Sequence, residues 1–242
     1  MSFHPKKDYF GLSGNGLVVR DSELGGSVEK YQPLNQDGDF CATEIYGADT
    51  APSVNYAVKS AVTLADVQIG EAKAEIEGKK YALESIEIST SAGAAPTVSA
   101  KGKEVTGCDG DVLSQYILPA FSLSPRNKAQ ILFDAFSLGG KGCVLTECKA
   151  TIECTVEVTK IAGERIASDS SQGVITVSGS IMRCGNVDGS EVPVVTPKAE
   201  DVKLGEKSAK WVLTNAPELT ETNPETEYPT YSFELQLTLL KD

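Results

Sequence analysis

Cys148-Lys149-Ala150-Thr151-Ile152-Glu153-Cys154-Thr155-Val156-Glu157-Val158-Thr159 alternates an apolar or small residue with a polar one. In an extended chain successive side chains point to opposite faces. Cys148, Ala150, Ile152, Cys154, Val156 and Val158 therefore share a dry face, and the intervening Lys, Thr and Glu residues share a wet one. A helix would scatter both sets around its axis. The stretch reads as a half-buried strand and sets the fold class of the chain.

The same period recurs on either side. Val174 to Met182 places Ile175, Val177, Gly179 and Ile181 against Thr176, Ser178 and Ser180, and is expected to pair with the first strand across a long polar connection, Gly163 to Gly173. Tyr231, Phe233, Leu235, Leu237 and Leu239 line one face of a strand that closes the chain. Tyr81 to Thr90 and Thr97 to Val105, separated by Ser91-Ala92-Gly93-Ala94-Ala95-Pro96, read as a hairpin, and β-branched and aromatic residues mark a further strand over Val54 to Leu64. One segment breaks the pattern. Ser124 can cap a helix, Pro125 suits its first position, and Ala129, Leu132, Phe133 and Phe136 recur at helical spacing before Gly139-Gly140, which predicts a helix over Pro125 to Leu138. A shorter helical turn is expected over Val112 to Ile117, before Pro119. The fold expected is mainly β: an antiparallel sandwich or barrel with one packed amphipathic helix at about 125–138. It comprises an N-terminal arm (1–24) and one domain (25–242) with polar insertions at about 25–53 and 186–228.

With 242 residues the chain is long enough to bury a large core. Its apolar runs are far shorter than the roughly 20 residues of a membrane-crossing helix, so no membrane insertion is expected. Twenty-two Lys and Arg against 34 Asp and Glu give a net charge of −12, which opposes binding to phosphate backbones. The excess lies in two stretches. Residues 35–78 hold eight acids and two lysines, and residues 186–242 hold eleven acids and five lysines. These are solvated loops, or an acidic surface shared after assembly.

Candidate chemistry is sparse. The only histidine, His4, precedes Gly11, Gly14 and Gly16 rather than the apolar core of a secretory signal, so folding in a reducing cytoplasm is expected. A nucleophile relying on a histidine base has little to draw on. Gly11-Leu12-Ser13-Gly14-Asn15-Gly16 fits neither the dinucleotide fingerprint, the phosphate loop, nor the nucleophile elbow. Cys41, Cys108, Cys143, Cys148, Cys154 and Cys184 lack close zinc-type pairs; they read as buried thiols, with metal or disulfide as the alternative. Asp37-Gly38-Asp39, Asp109-Gly110-Asp111 and Asp188-Gly189 read as turns rather than calcium loops. No catalytic residue, metal ligand or cofactor is assigned, and the chain is not expected to be an enzyme. Trp211, Tyr228 and Tyr231 either pack in the core or, if exposed, form a sugar-stacking platform.

The paired strands Cys148 to Thr159 and Val174 to Met182, the helix Pro125 to Leu138, the polar insertion before Ala57 and the terminal strand Tyr231 to Leu239 together resemble the layout of bacteriophage tail-tube (major tail) proteins. The resemblance implies a virion structural subunit, made in the host cytoplasm, that closes with its own copies into rings, usually hexameric in that family. The rings stack, with other virion proteins, into a tube through which the genome passes without sequence-specific binding. It further implies that residues 35–50, carrying Asp37, Asp39, Glu44 and Asp49, reach the next ring or contribute an acidic surface. A carbohydrate-binding or adhesin β-sandwich module and a carboxylate-dependent hydrolase are the alternatives.

Overall fold

The computed structural model describes residues 6–14, 16–32, 34, 36–37, 44–65, 67–70, 72–76, 78–91, 94–108, 116–124, 132–161, 164–184, 192–204, 206–222 and 228–241. In chain order the strands are β1 (Leu17–Tyr31), β2 (Glu44–Val58), β3 (Val62–Leu64), β4 (Gln68–Ile69), β5 (Ala72–Ile76), β6 (Lys79–Ser91) and β7 (Thr97–Glu104). β8 (Tyr116–Ile117), β9 (Phe121–Leu123) and β10 (Phe136–Gly139) lead to the two longest, β11 (Cys143–Ile161) and β12 (Glu164–Arg183). β13 (Val194–Pro197), β14 (Val202–Leu204) and β15 (Lys207–Ala209) precede β16 (Val212–Thr222) and β17 (Pro229–Thr238).

Nine strands form one antiparallel sheet in the order β1-β2-β7-β6-β11-β12-β17-β16, with β5 beside one end of β6. Its register explains the alternating sequence. Val54, Ala100, Ile86, Ile152, Ile175 and Leu237 lie in one row across six strands, each 0% exposed. The next row on that face is Tyr56, Val98, Ile88, Ala150, Val177 and Leu235, also buried. A one-residue slip would turn both rows into water, so burial of this face fixes the pairing. Four two-stranded ribbons, β3-β9, β4-β8, β10-β13 and β14-β15, contribute the opposing layer. Their Val62, Ile69, Tyr116, Phe121, Phe136, Val195 and Leu204 join the same core. The rings of Phe136 and Phe233 meet edge-on with centroids 4.8 Å apart. The result is sandwich-like and mainly β.

The expected helix is not supported. Residues 125–131 lie outside the described ones, Leu132–Asp134 is a single 3-10 turn in which Phe133 has φ 59°, and Phe136–Gly139 is a strand paired with Val194–Pro197. Leu132, Phe133 and Phe136 fit a helical period, but Phe136 and Leu138 also fit a period of two, and pairing with β13 buries Phe136 completely. Of the expected helical turn at 112–117, residues 112–115 are outside the described set, and Tyr116–Ile117 is extended.

The long connection expected between β11 and β12 is also corrected. Ser168 to Gly173 belongs to β12, and pairing with β11 continues outward to Ile161↔Glu164. Polar residues persist there because the hairpin runs beyond the strands that flank its base. A bulge at Gln172-Gly173, where Gln172 has φ 57°, lets two residues of β12 face Cys154. The extra residue shifts the inward set of β12 from Ile175 and Val177 to the fully buried Ser170. The strand expected over Val54 to Leu64 is interrupted at Lys59–Ala61, separating β2 from β3. The hairpin of β6 and β7 and the terminal strand fall where the alternation put them.

Candidate functional site

β2 pairs with β7 only over Ser53–Ala57, whereas its pairing with β1 runs on to Tyr31↔Glu44. β11 likewise pairs with β6 over Glu147–Glu153 and then continues with β12 alone. Two long hairpins thus project past the flanking strands, and a charged cluster joins them. Asp49 on β2 accepts a hydrogen bond from Lys160 Nζ at 2.7 Å through Oδ2 and another from Arg165 Nη2 through Oδ1. Arg165 Nη1 also meets Glu104 Oε1 at 3.0 Å, at the end of β7. Glu104 Oε2 accepts hydrogen bonds from Thr50 N (3.0 Å), Thr50 Oγ1 (2.5 Å) and Lys79 Nζ (3.2 Å). The Tyr81 hydroxyl lies 2.8 Å from Thr50 Oγ1.

The Glu104 side chain is only 2% exposed, and burial by itself would raise its carboxyl above the ordinary range. Hydrogen bonds from Thr50 and Lys79 and the charge of Arg165 overcome that and hold it below 4.5. Asp49 is held below 3.8 chiefly by the Lys160 hydrogen bond, against an opposing effect of burial, with Arg165 adding to the depression. Both carboxyls are therefore charged at neutral pH. A second polar anchor fixes the N-terminal segment. Asp8 accepts from Tyr56 Oη and Ser13 N, each at 2.6 Å, and the phenol of Tyr56 is pushed upward by burial and by that carboxylate.

Of the acids expected at an inter-subunit loop or acidic surface, Asp49 is engaged within the chain by this cluster. Asp37 sits exposed in a turn, Glu44 opens β2 opposite Tyr31, and Asp39 lies outside the described residues. The structure does not bring these four together into one described site.

It assembles instead an acid-rich face that the segment-by-segment charge reading did not single out. On the side of the large sheet opposite its core, Asp21, Asn55, Ser99, Glu87, Thr151, Thr176 and Gln236 form one row. Glu23, Ser53, Lys101, Ser85, Glu153, Val174 and Thr238 form another. Lys149 and Glu234 lie in a third row, and Glu147 and Glu218 in a fourth. Across these rows seven carboxylates (Asp21, Glu23, Glu87, Glu147, Glu153, Glu218, Glu234) stand against Lys101 and Lys149. Five of the seven come from segments of balanced charge; the wet positions of the alternating strands were the signal that could have located them.

The sheet is open. β1 pairs only with β2 and β16 only with β17, at opposite ends of the strand order, so among the described residues each has one side without a strand neighbour. Val18 and Leu24 on β1 are 40% exposed, and Val212 and Leu219 on β16 are 58% and 55% exposed.

Trp211 and Tyr231 pack in the core, and Tyr228 is half-buried. Cys148 and Cys154 occupy the dry face of β11, and burial, with Glu84 and Glu153 nearby, pushes the Cys154 thiol up to about 12. Cys108, Cys143, Cys148, Cys154 and Cys184 are in no disulfide, and Cys41 lies outside the described residues. Among the described residues no group of three or more His, Cys, Asp or Glu side chains is placed to hold a metal ion. A cavity of about 360 Å³ between Phe10-Gly11-Leu12 and Val62-Thr63-Leu64 has, among the described residues, no ionisable side chain in its lining. The sequence matches no protein-family model and no curated protein.

Proposed function

We propose that this chain is a virion structural subunit of the tail-tube kind, which associates with copies of itself edge to edge into rings that stack into a passage for the phage genome. The observation that carries the reading is the open antiparallel sheet, with strands β1 and β16 at its two rims and an acid-rich face between them. Unpaired strand edges expose rows of backbone donors and acceptors that a further strand satisfies, and closed rings of identical subunits leave no such edge. Seven carboxylates on one face would repel nucleic-acid phosphates, so that DNA slides past the wall without sticking.

Electron microscopy of the purified protein, with light scattering across salt and concentration, tests this reading. Rings or tubes of regular diameter are the expected outcome. A particle that stays monomeric at every salt and concentration tried overturns it.

A further inference from the structure

The β1-β2 hairpin is joined to the body of the sheet at its base, where β2 meets β7 over Ser53–Ala57. Beyond Leu24↔Pro52 it runs on as a two-stranded arm to Tyr31↔Glu44. Two adjacent side chains, Asp49 and Thr50, tie this arm to the rest of the fold. Asp49 holds Lys160 of β11 and Arg165 of β12, and Thr50 holds Glu104 of β7 and Tyr81 of β6. Lys79 completes the charged set by its contact with Glu104.

A two-stranded ribbon without further packing is marginally stable in water. The cluster at Asp49 and Thr50 gives the arm such packing, and the Asp49 part of it depends on charge. We propose that Asp49 is a latch: its ion pairs with Lys160 and Arg165 hold the β1-β2 arm against the β11-β12 hairpin, and loss of its negative charge releases the arm as a unit. Release would leave the arm free to swing away from the β11-β12 hairpin. The latch is a property of the single chain and stands independently of the self-association reading above.

Hydrogen exchange at pH 7 tests it, comparing the wild-type protein with Asp49→Asn, Asp49→Glu and Lys160→Gln under conditions where each is monomeric. Amide protection should fall tenfold or more in residues 24–28 and 45–52 of Asp49→Asn, and should stay within twofold in the strands around Ile86, Ile152 and Ile175. Asp49→Glu should restore most of the lost protection, and Lys160→Gln, which leaves the Arg165 pair in place, should lose less than Asp49→Asn. If Asp49→Asn fails to fold, a loss confined to the arm in Lys160→Gln supports the latch. Unchanged arm protection, or a loss shared equally with the central strands, overturns it.

Discussion

Glu104 is a carboxylate kept ionised in a place that excludes water. Its side chain is 2% exposed, and Arg165, itself 15% exposed, is the cation that lies closest to it. Removing one partner of a buried pair costs roughly 3 kcal/mol when the other is left uncompensated; here Lys79 and Thr50 still hold Glu104, and Lys160 still holds Asp49, so the loss is smaller. Arg165→Met should lower the unfolding free energy by about 1–2 kcal/mol in urea titrations, and Glu104→Gln in the same background should recover part of it by removing a buried charge that has lost one of its two cations. The pH dependence has a definite sign. Because the folded protein holds Asp49 and Glu104 below their ordinary 3.8 and 4.5, the unfolded chain binds more protons as pH falls through that range. The stabilisation they give is complete above these values and is lost progressively at lower pH. Urea midpoints of the wild type should therefore drop below about pH 5, and those of Arg165→Met should drop less. Gly179 is a different kind of residue-scale constraint. A Cβ there would lie 2.8 Å from the Phe233 ring and 2.7 Å from the Glu147 carbonyl oxygen, in a packed row of the core. Gly179→Ala should destabilise by about 2 kcal/mol by displacing that ring, and a crystal structure of the variant should show the Phe136–Phe233 contact broken.

The open edge makes a prediction at the scale of elements. Leu219 on β16 is more than half exposed, so Leu219→Lys should change the unfolding midpoint little, by under about 0.5 kcal/mol in free energy. A lysine on an edge strand obstructs the approach of another strand. The substitution should therefore weaken self-association in sedimentation while leaving the monomer intact, and unchanged association would place the contact elsewhere. The elements themselves were legible in the sequence wherever one face is dry and the other wet. Cys148 to Thr159 and Tyr231 to Leu239 alternate because each is half-buried in the middle of the sheet. Ser168 to Gly173 did not read as strand because the bulge at Gln172-Gly173 shifts its inward set and the buried inward position, Ser170, is polar. The segment around Phe133 and Phe136 satisfies two periods at once, and only pairing with Val194–Pro197, more than fifty residues away, decides between them. The cluster at Asp49 was illegible for a related reason: its partners Lys160 and Arg165 are 111 and 116 positions distant, and nothing local marks the pairing.

At the scale of the whole molecule, charge is arranged by the sheet rather than by stretches of sequence. The net charge of −12 arises entirely from residues 35–78 and 186–242, yet Asp21, Glu23, Glu87, Glu147 and Glu153 on the outward face belong to segments that are neutral overall. Pairing strands side by side brings these acids onto one surface, while Lys103 Nζ is taken up by the Val156 carbonyl and Lys160 by Asp49. If this surface lines a passage, its sign matters more than any one residue, and reversing it should convert a repelling wall into an adhesive one. Glu87 and Glu153 are suited to the test. Glu87 is paired with Lys149 at 2.8 Å with both side chains nearly half exposed, a contact of small worth, and Glu153 is exposed. The double variant Glu87→Lys, Glu153→Lys should fold and assemble like the wild type, yet retain DNA in a filter-binding assay at low salt and release it as salt rises. The wild-type assembly should retain none at either salt. Adding Leu219→Lys, which is expected to disperse the assembly, separates a wall effect from general stickiness, because retention that depends on assembly should fall with it. An assembled double variant that holds no more DNA than the wild type would show that this face does not meet the genome.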